Sequence, residues 1–213
     1  MTTPSATAPT TPTAAPVQGT LYLLPRTSVR GDEIIPLNVM RTRFPDLYEL
    51  NIRKYAARPA IMDSPVAPLH CTWSDVVFLS PVHPAALFSA SSAARDGSPR
   101  NSPKPWILDA GRLDPERTVV RLMRHGRDGH HADPADEHDY LPFTTAALRA
   151  VSRVTVAAIE RLESLKPGDP WLPWVDVPHI LHRGTIPVDW FQRSSGQPEH
   201  RVVEHTAGMG TRG

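Results

Sequence analysis

The chain has 213 residues, 40% of them hydrophobic, and a formal net charge of +1 at pH 7. This length suits one ordinary domain with tails, and no run of roughly 18 apolar residues exists that could span a bilayer. The near-neutral charge argues against nucleic-acid binding, which needs clustered cations to contact phosphates. We therefore expect neither a membrane nor a nucleic-acid partner.

The two ends of the chain have the composition of unstructured segments. Residues 1–18 are rich in Thr, Pro and Ala and lack the basic start and apolar stretch of a signal peptide. Residues 193–213 are rich in Ser, Gly, Pro and Arg. The only cysteine, Cys71, cannot form an internal disulfide, which agrees with a reducing compartment. We expect a cytoplasmic protein with one globular domain over residues 19–192, between a disordered leader and a flexible tail.

The first predicted elements are a strand and two helices. The apolar run from Leu21 to Leu24 predicts a short buried strand that ends at Pro25. Pro45 should end a helix over 37–43, and it can occupy the first turn of a second helix, because its missing N–H costs nothing there. The second helix carries apolar residues at helical spacing, namely Leu47, Leu50, Ile52 and Tyr55.

The segment SDVVFLS, residues 74–80, is the clearest predicted strand. Its alternation places Trp73 on the same face as Val77, and Phe78 on the opposite face. Both faces are largely apolar, which predicts a strand inside a sheet. Asp75 would then lie at the end of the strand, where loops meet and active sites often form.

The second half of the chain predicts further strands and one long helix. A short helix within 83–95 comes first, then a strand at 105–111, and residues 118–125 could form either a strand or a helix. Residues 144–165 carry apolar side chains at spacings of three and four behind a threonine cap, which predicts one long helix. The proline-punctuated segment 171–191 suggests irregular or edge strands that close over the core. The order of elements lacks regular β-α-β alternation and predicts a single α+β domain with a mixed or antiparallel sheet.

Two segments supply candidate residues for a pocket. Around the inner strand these are Cys71, Trp73, Asp75 and His83, and in the closing segment they are His179, His182, Arg183, Asp189 and Trp190. Cys71 would be a nucleophile only if a base or a helix N-terminus lowered its thiol pKa, and the alternative is a small buried side chain. His179 and His182 would point the same way on a turn and opposite ways on a strand.

If the two segments meet, the sequence predicts a small enzyme that acts on a small molecule. His179 or His182 would be the general acid or base, Asp75 or Asp189 the orienting carboxylate, and Arg183 an anion-binding group. Trp73, Trp190, Cys71 and His83 would contact the substrate. The alternative from another class is a non-catalytic binding or accessory protein, in which these residues are structural.

A third possibility lies in residues 125–139, which contain four histidines, four aspartates and one glutamate. His130, His138 and Asp139 could reach one metal ion if the loop folded back, which would suit a metal-dependent hydrolase. No ligand pair appears at helical spacing and the HExxH motif is absent, so a solvated loop is the simpler interpretation and we assign no metal ligand. The sequence assigns no cofactor and no oligomeric state.

Overall fold

The computed structural model of the protein describes residues 15–24, 29–95, 104–127, 131–166, 169 and 172–193, with the backbone alone for 90–95. Most of the predicted leader and tail lies outside these residues. Val17, at the end of the predicted leader, is buried in the main core, and the backbone N–H of Gln18 donates to Thr145 Oγ1 at 2.9 Å. The ordered chain therefore includes residues just before the predicted domain boundary at 19.

The elements follow the chain in this order. The strands are β1 Thr20–Leu23, β2 Glu33–Ile34, β3 Pro65–Val66, β4 Cys71–Thr72, β5 Val76–Leu79, β6 Trp106–Asp109, β7 Thr118–Arg121, β8 Tyr140–Pro142, β9 His179–Arg183, β10 Ile186–Pro187 and β11 Phe191–Arg193. The α-helices are α1 Leu37–Arg43, α2 Pro45–Ile52, α3 Pro84–Arg95, α4 Thr145–Val151 and α5 Val156–Ser164. Short 3-10 helices occupy Arg53–Tyr55, Pro59–Asp63, Ala67–Leu69, Trp73–Asp75, Ala110–Arg112, Pro115–Arg117, Glu137–Asp139 and Val188–Trp190.

Two antiparallel sheets form the centre of the fold. The larger has the strand order β5-β9-β7-β8 and the other has the order β1-β6-β11. The main core combines side chains from both sheets with Leu148 and Val151 of α4. On the opposite face of the larger sheet, Val76, Val119 and Leu181 pack under the segment that contains β3 and β4. The predicted α+β class and the antiparallel pairing are confirmed.

The position of β5 within its sheet differs from the prediction. It lies at the end of the larger sheet, and β9, from the segment predicted to supply edge strands, lies inside between β5 and β7. The apolar residues on both faces of β5 reflect the two hydrophobic clusters that cover it. Burial of both faces does not require a hydrogen-bonded neighbour on both edges, so the pattern could not show which strand is central.

One bridge connects the two sheets in the part of the chain that the structure describes. Tyr22 N donates to Ser80 O and Ser80 N donates to Tyr22 O, each at 2.8 Å. Leu24 and Phe78 would form the next hydrogen-bonded pair on this edge, because N–H and C=O groups alternate in direction along a strand. They do not pair, and β1 ends at Leu23, two residues before Pro25. The two strands therefore separate beyond Tyr22 and Ser80.

The segment predicted as one helix over 144–165 contains two, α4 and α5, separated at Ser152–Thr155. Thr155 has extended dihedral angles, and its Oγ1 accepts a hydrogen bond from Ala158 N at 3.1 Å, so it caps α5 as a new helix. Thr144 caps α4 in the same way through Ala147 N. The apolar spacing continues across the break, so the periodicity did not reveal it.

Helix α1 has the predicted bounds and α2 begins at Pro45 as predicted. The second helix was expected to continue to Tyr55, but α2 ends at Ile52 and Tyr55 lies in the 3-10 helix Arg53–Tyr55. The buried face of α2 differs from the predicted apolar face at one position. Leu50 was predicted to lie on that face but is 51% exposed, and its neighbour Asn51 is buried instead. No helix within the described ranges is both long and apolar enough to cross a lipid bilayer.

Candidate functional site

A cavity of about 520 Å³ lies where β1 and β5 separate, and α1 and α2 cover it. Six aromatic side chains contribute to its wall, together with aliphatic residues such as Met40 and Leu47: Tyr22, Phe44, Tyr55, Trp73, Phe78 and Trp174. Polar lining groups are fewer and include Asn51, Lys54 and His179. The cavity is thus a concave apolar space with a small number of polar groups.

The edge of β5 adds backbone polarity to this cavity. The N–H and C=O groups of Phe78 point to the same side as those of Ser80, which is the side facing β1. No residue within the described ranges forms a β-bridge with Phe78 on that side. A bound molecule could therefore pair with one donor and one acceptor of the main chain.

Five rings form a continuous surface along one side of the cavity, which we call the aromatic wall: Tyr55, Trp73, Phe78, His179 and Trp174. Trp73 Nε1 donates to Tyr55 Oη at 3.2 Å, and the Trp73 and Phe78 ring centroids are 4.4 Å apart. His179 lies edge-on to Phe78 at 6.3 Å and to Trp174 at 6.4 Å. These contacts fix the orientation of each ring through its neighbours.

His179 is the histidine of the aromatic wall. Its Nδ1 lies 2.8 Å from the carbonyl oxygen of Val177, which can only accept, so Nδ1 carries a proton. Burial lowers the pKa of His179 from 6.5 to about 4, and the positive charges of Arg121 and Lys54 act in the same direction. The ring is therefore neutral at pH 7, and Nε2 has an unshared pair for a donor on a ligand.

His182 does not reach this cavity. Both histidines lie on β9, where an odd separation places their side chains on opposite faces. His182 Nδ1 is 2.9 Å from Thr118 Oγ1, whose own proton goes to the carbonyl of Asp114 at 2.7 Å. Burial and the nearby charge of Arg117 lower the pKa of His182 to about 4. His182 is thus a neutral, hydrogen-bonded histidine of the interior.

The predicted meeting of the inner strand with the closing segment does occur, because β5 pairs with β9 and Val76 lies opposite Arg183. Asp75, however, is a structural acceptor: it receives bonds from Thr72 N, Thr72 Oγ1 and Asn38 Nδ2 at 2.6–2.8 Å. Arg183 is exposed and donates to Leu69 O at 3.0 Å. Burial raises the pKa of the Cys71 thiol, which opposes its use as a nucleophile at neutral pH.

Three further predicted residues lie outside the cavity lining. Asp189 is exposed in the 3-10 helix before β11, and Trp190 packs against the main core with Arg112 at 6.0 Å from its ring. His83 is exposed and lies edge-on to Tyr22 at 4.8 Å. Of the nine predicted pocket residues, only Trp73 and His179 line the cavity.

Trp73 reaches the aromatic wall through local geometry that the strand pattern did not predict. Residues Trp73–Asp75 form a 3-10 turn with a reciprocal capping arrangement between Thr72 and Asp75. This turn interrupts the alternation of side chains, so Trp73 packs against Phe78 rather than sharing a face with Val77.

The histidine-rich segment contains a different arrangement from the predicted metal site. His125 donates its backbone N–H and directs its Nδ1 to the buried Asp176 carboxylate, at 2.8 and 2.9 Å, and Arg161 Nε binds the same group at 2.9 Å. Of the predicted ligands, His138 is exposed, Asp139 pairs with Arg124, and His130 lies outside the described residues. Within the described ranges, no three His, Cys, Asp or Glu side chains are grouped for a metal ion.

Many of the cavity residues were assigned in the sequence only to predicted strands or helices. Tyr55 belongs to the apolar face of the predicted second helix, so its spacing indicated packing and gave no signal of a ligand site. Comparison of the chain with protein-family models, curated proteins and solved structures found no match.

Proposed function

We propose that the protein binds a small, largely apolar molecule in the cavity between β1, β5 and the helices α1 and α2. A volume of about 520 Å³ lies within the range of roughly 300–1,000 Å³ that is typical of small-molecule sites. Such sites are predominantly apolar and aromatic and hold a few polar groups that orient the ligand. The aromatic wall, with His179 Nε2 and the Phe78 peptide edge as polar groups, is the observation that carries this proposal.

Binding without catalysis is the better supported of the two main functions that the sequence predicted. General acid–base catalysis requires a base and its orienting group within hydrogen-bond reach of one substrate. His182 is bonded to Thr118, Asp75 caps a 3-10 turn and Asp189 is exposed elsewhere, so these three groups have separate structural roles. Their separation favours a binding protein in which the predicted acid–base residues stabilise the fold.

The proposed partner is a small molecule rather than a nucleic acid, and the proposed location is the cytoplasm. The net charge of +1 over 213 residues supports the first statement, since phosphate binding favours a basic surface. The single cysteine, Cys71, is consistent with the second.

The proposal is tested by filling the cavity. Met40 is half-buried, lines the cavity and belongs to none of the three core clusters, so Met40→Trp should occupy the ligand space without removing core contacts. The probe is phenylnaphthylamine, an uncharged dye that fluoresces in apolar surroundings. The dye itself is excited, rather than the tryptophans of the protein. We expect Met40→Trp to weaken its binding by about tenfold or more, because the dye loses contact with the aromatic wall.

The matched control is Leu50→Trp, which adds the same ring at a 51%-exposed position outside the cavity lining. Its dye affinity should equal that of the unaltered protein. If Met40→Trp fails to fold by circular dichroism, Ile35→Phe serves as a second cavity-filling change, since Ile35 also lines the cavity. Unchanged dye affinity in a folded cavity-filling variant would refute the proposal.

A further inference from the structure

The charged residues that line the cavity are Arg30, Glu33 and Lys54. Arg30 forms a two-point contact with Asp46 at 2.9 and 2.5 Å. Glu33 accepts bonds from Arg43 and Thr185, both at 2.7 Å. The charges of Arg30 and Glu33 are therefore largely satisfied by partners within the protein. Lys54 Nζ lies 4.5 Å from the centre of the Tyr55 ring, so it places a positive charge against the aromatic wall.

A second cation supports the aromatic wall from outside the cavity. The Arg121 guanidinium lies 4.7 Å from the Trp73 ring, and the residue is only 4% exposed. Its Nη2 donates to the carbonyl of Asp133 at 3.2 Å, and its Nε has no hydrogen-bond partner. No carboxylate in the described part of the chain forms an ion pair with it. The nearby carboxylate of Asp139 acts on Arg121 electrostatically but pairs directly with Arg124, and little water screens the buried guanidinium charge.

The two cations act on the interior of the cavity. Arg121 lies opposite His179 in the pairing of β7 with β9, and Lys54 lies at the Tyr55 end of the aromatic wall. The positive charges of both disfavour protonation of His179. A neutral apolar ligand would gain nothing from this positive potential, whereas an anion would be stabilised by it.

We infer that the molecule bound in this cavity is an organic monoanion with an aromatic or branched apolar body, held with its carboxylate or sulfonate group near Lys54 and its body against the aromatic wall. This inference rests on the proposed function and specifies the class of ligand. The Phe78 N–H can donate to an anionic oxygen, and the Trp73 ring lines the cavity where the body of the ligand would lie.

The test compares two dyes that share one skeleton. Anilinonaphthalene sulfonate carries a sulfonate group, and phenylnaphthylamine has the same linked rings without a charge. The unaltered protein should bind the sulfonate more tightly. Lys54→Met should weaken sulfonate binding by about tenfold and change binding of the uncharged dye by less than about twofold, because only the charged dye loses a Coulomb interaction. Lys54 is exposed, so the change removes little packing.

The control is Arg53→Met, which removes a cation from the neighbouring position outside the cavity lining and should change the affinity for the sulfonate by less than about twofold. Arg121→Met, if folded, should weaken sulfonate binding selectively as well. The inference would be overturned if the unaltered protein bound both dyes with equal affinity, or if Lys54→Met weakened the binding of both dyes equally. Either result would leave the proposed binding function in place. If Met40→Trp leaves the binding of both dyes unchanged, the proposed binding function itself is overturned.

Discussion

Asp176 combines a rare backbone conformation with a buried charge. Its φ of +65° lies in the left-handed region, and the residue is 4% exposed. The left-handed conformation costs a residue with a side chain roughly 1–2 kcal/mol, although aspartate tolerates it better than most. The carboxylate accepts bonds from His125 and Arg161, and the backbone carbonyl accepts from Thr155 Oγ1 at 2.6 Å. These bonds connect three segments of the chain, those that contain His125, α5 with its cap, and Asp176, and they offset the conformational cost.

We expect Asp176→Asn to lower the free energy of unfolding by about 3–5 kcal/mol, the usual cost of removing one partner of a buried ion pair. Asparagine also tolerates the left-handed region, so the loss would report the charge and its bonds to Arg161 and His125 rather than backbone strain. Urea denaturation measures it. Asp189→Asn, the same change at an exposed position, should cost less than about 0.5 kcal/mol. Equal costs at the two positions would contradict this account of Asp176.

The break between α4 and α5 shows how a single side chain defines an element. Thr155 Oγ1 accepts from Ala158 N as a cap and donates its own proton to the Asp176 carbonyl, whereas Thr144 Oγ1 caps α4 and is exposed. The hydroxyl of Thr155 therefore joins the start of α5 to the left-handed turn before β9. The apolar spacing of residues 144–165 contains no sign of this second role.

Thr155→Ala should destabilise the protein more than Thr144→Ala. Loss of a cap alone costs about 1 kcal/mol, which is the value expected at Thr144. At Thr155 the partly buried bond to the Asp176 carbonyl is lost as well, which adds about 1 kcal/mol. Chemical denaturation of the two variants under identical conditions compares these costs. A cost at Thr155 no larger than at Thr144 would show that the bond to Asp176 contributes nothing.

The stability of the whole molecule should depend on pH through its two shielded histidines. The pKa values of His179 and His182 in the folded protein are about 4, below the ordinary 6.5. Between pH 6.5 and pH 4 the unfolded chain therefore binds protons at these positions and the folded protein does not. Their contribution to stability is complete above pH 6.5 and is lost as the pH falls towards 4, at up to about 1.4 kcal/mol per pH unit for each histidine.

His182→Asn tests this dependence. The asparagine amide can occupy the place of Nδ1 and keep the donor to Thr118 Oγ1, but it does not titrate. The free energy of unfolding is measured by urea denaturation from pH about 7 to about 4.5. We expect it to fall less steeply with acidification in this variant, with a slope against pH that is smaller by up to the contribution of one bound proton. An unchanged slope would mean that His182 has the same pKa in the folded and unfolded states.

The cavity is a property of the whole molecule, since it exists because two sheets joined at the Tyr22–Ser80 bridge separate beyond it. Trp73 and His179 were predicted as pocket residues because aromatic and titratable side chains are typical of such sites, and both line the cavity. Three other candidates have the same chemical character but lie elsewhere: His182 on the opposite face of β9, Asp75 in a 3-10 turn and Asp189 at the surface. Residue type indicated candidates, and only their placement in the fold separated those that share a space.

Local sequence patterns were enough to predict the properties that depend on neighbouring residues: the α+β class, the strands β1 and β5, and the helix boundary at Pro45. These follow from periodicity and from the missing N–H of proline, which act over a few positions. Long-range contacts place β9 inside its sheet, turn Trp73 towards Phe78 and join His125 to Arg161 through Asp176. Each of these depends on contacts between segments far apart in the chain, and local patterns do not encode which distant partner a strand edge or a buried charge will meet.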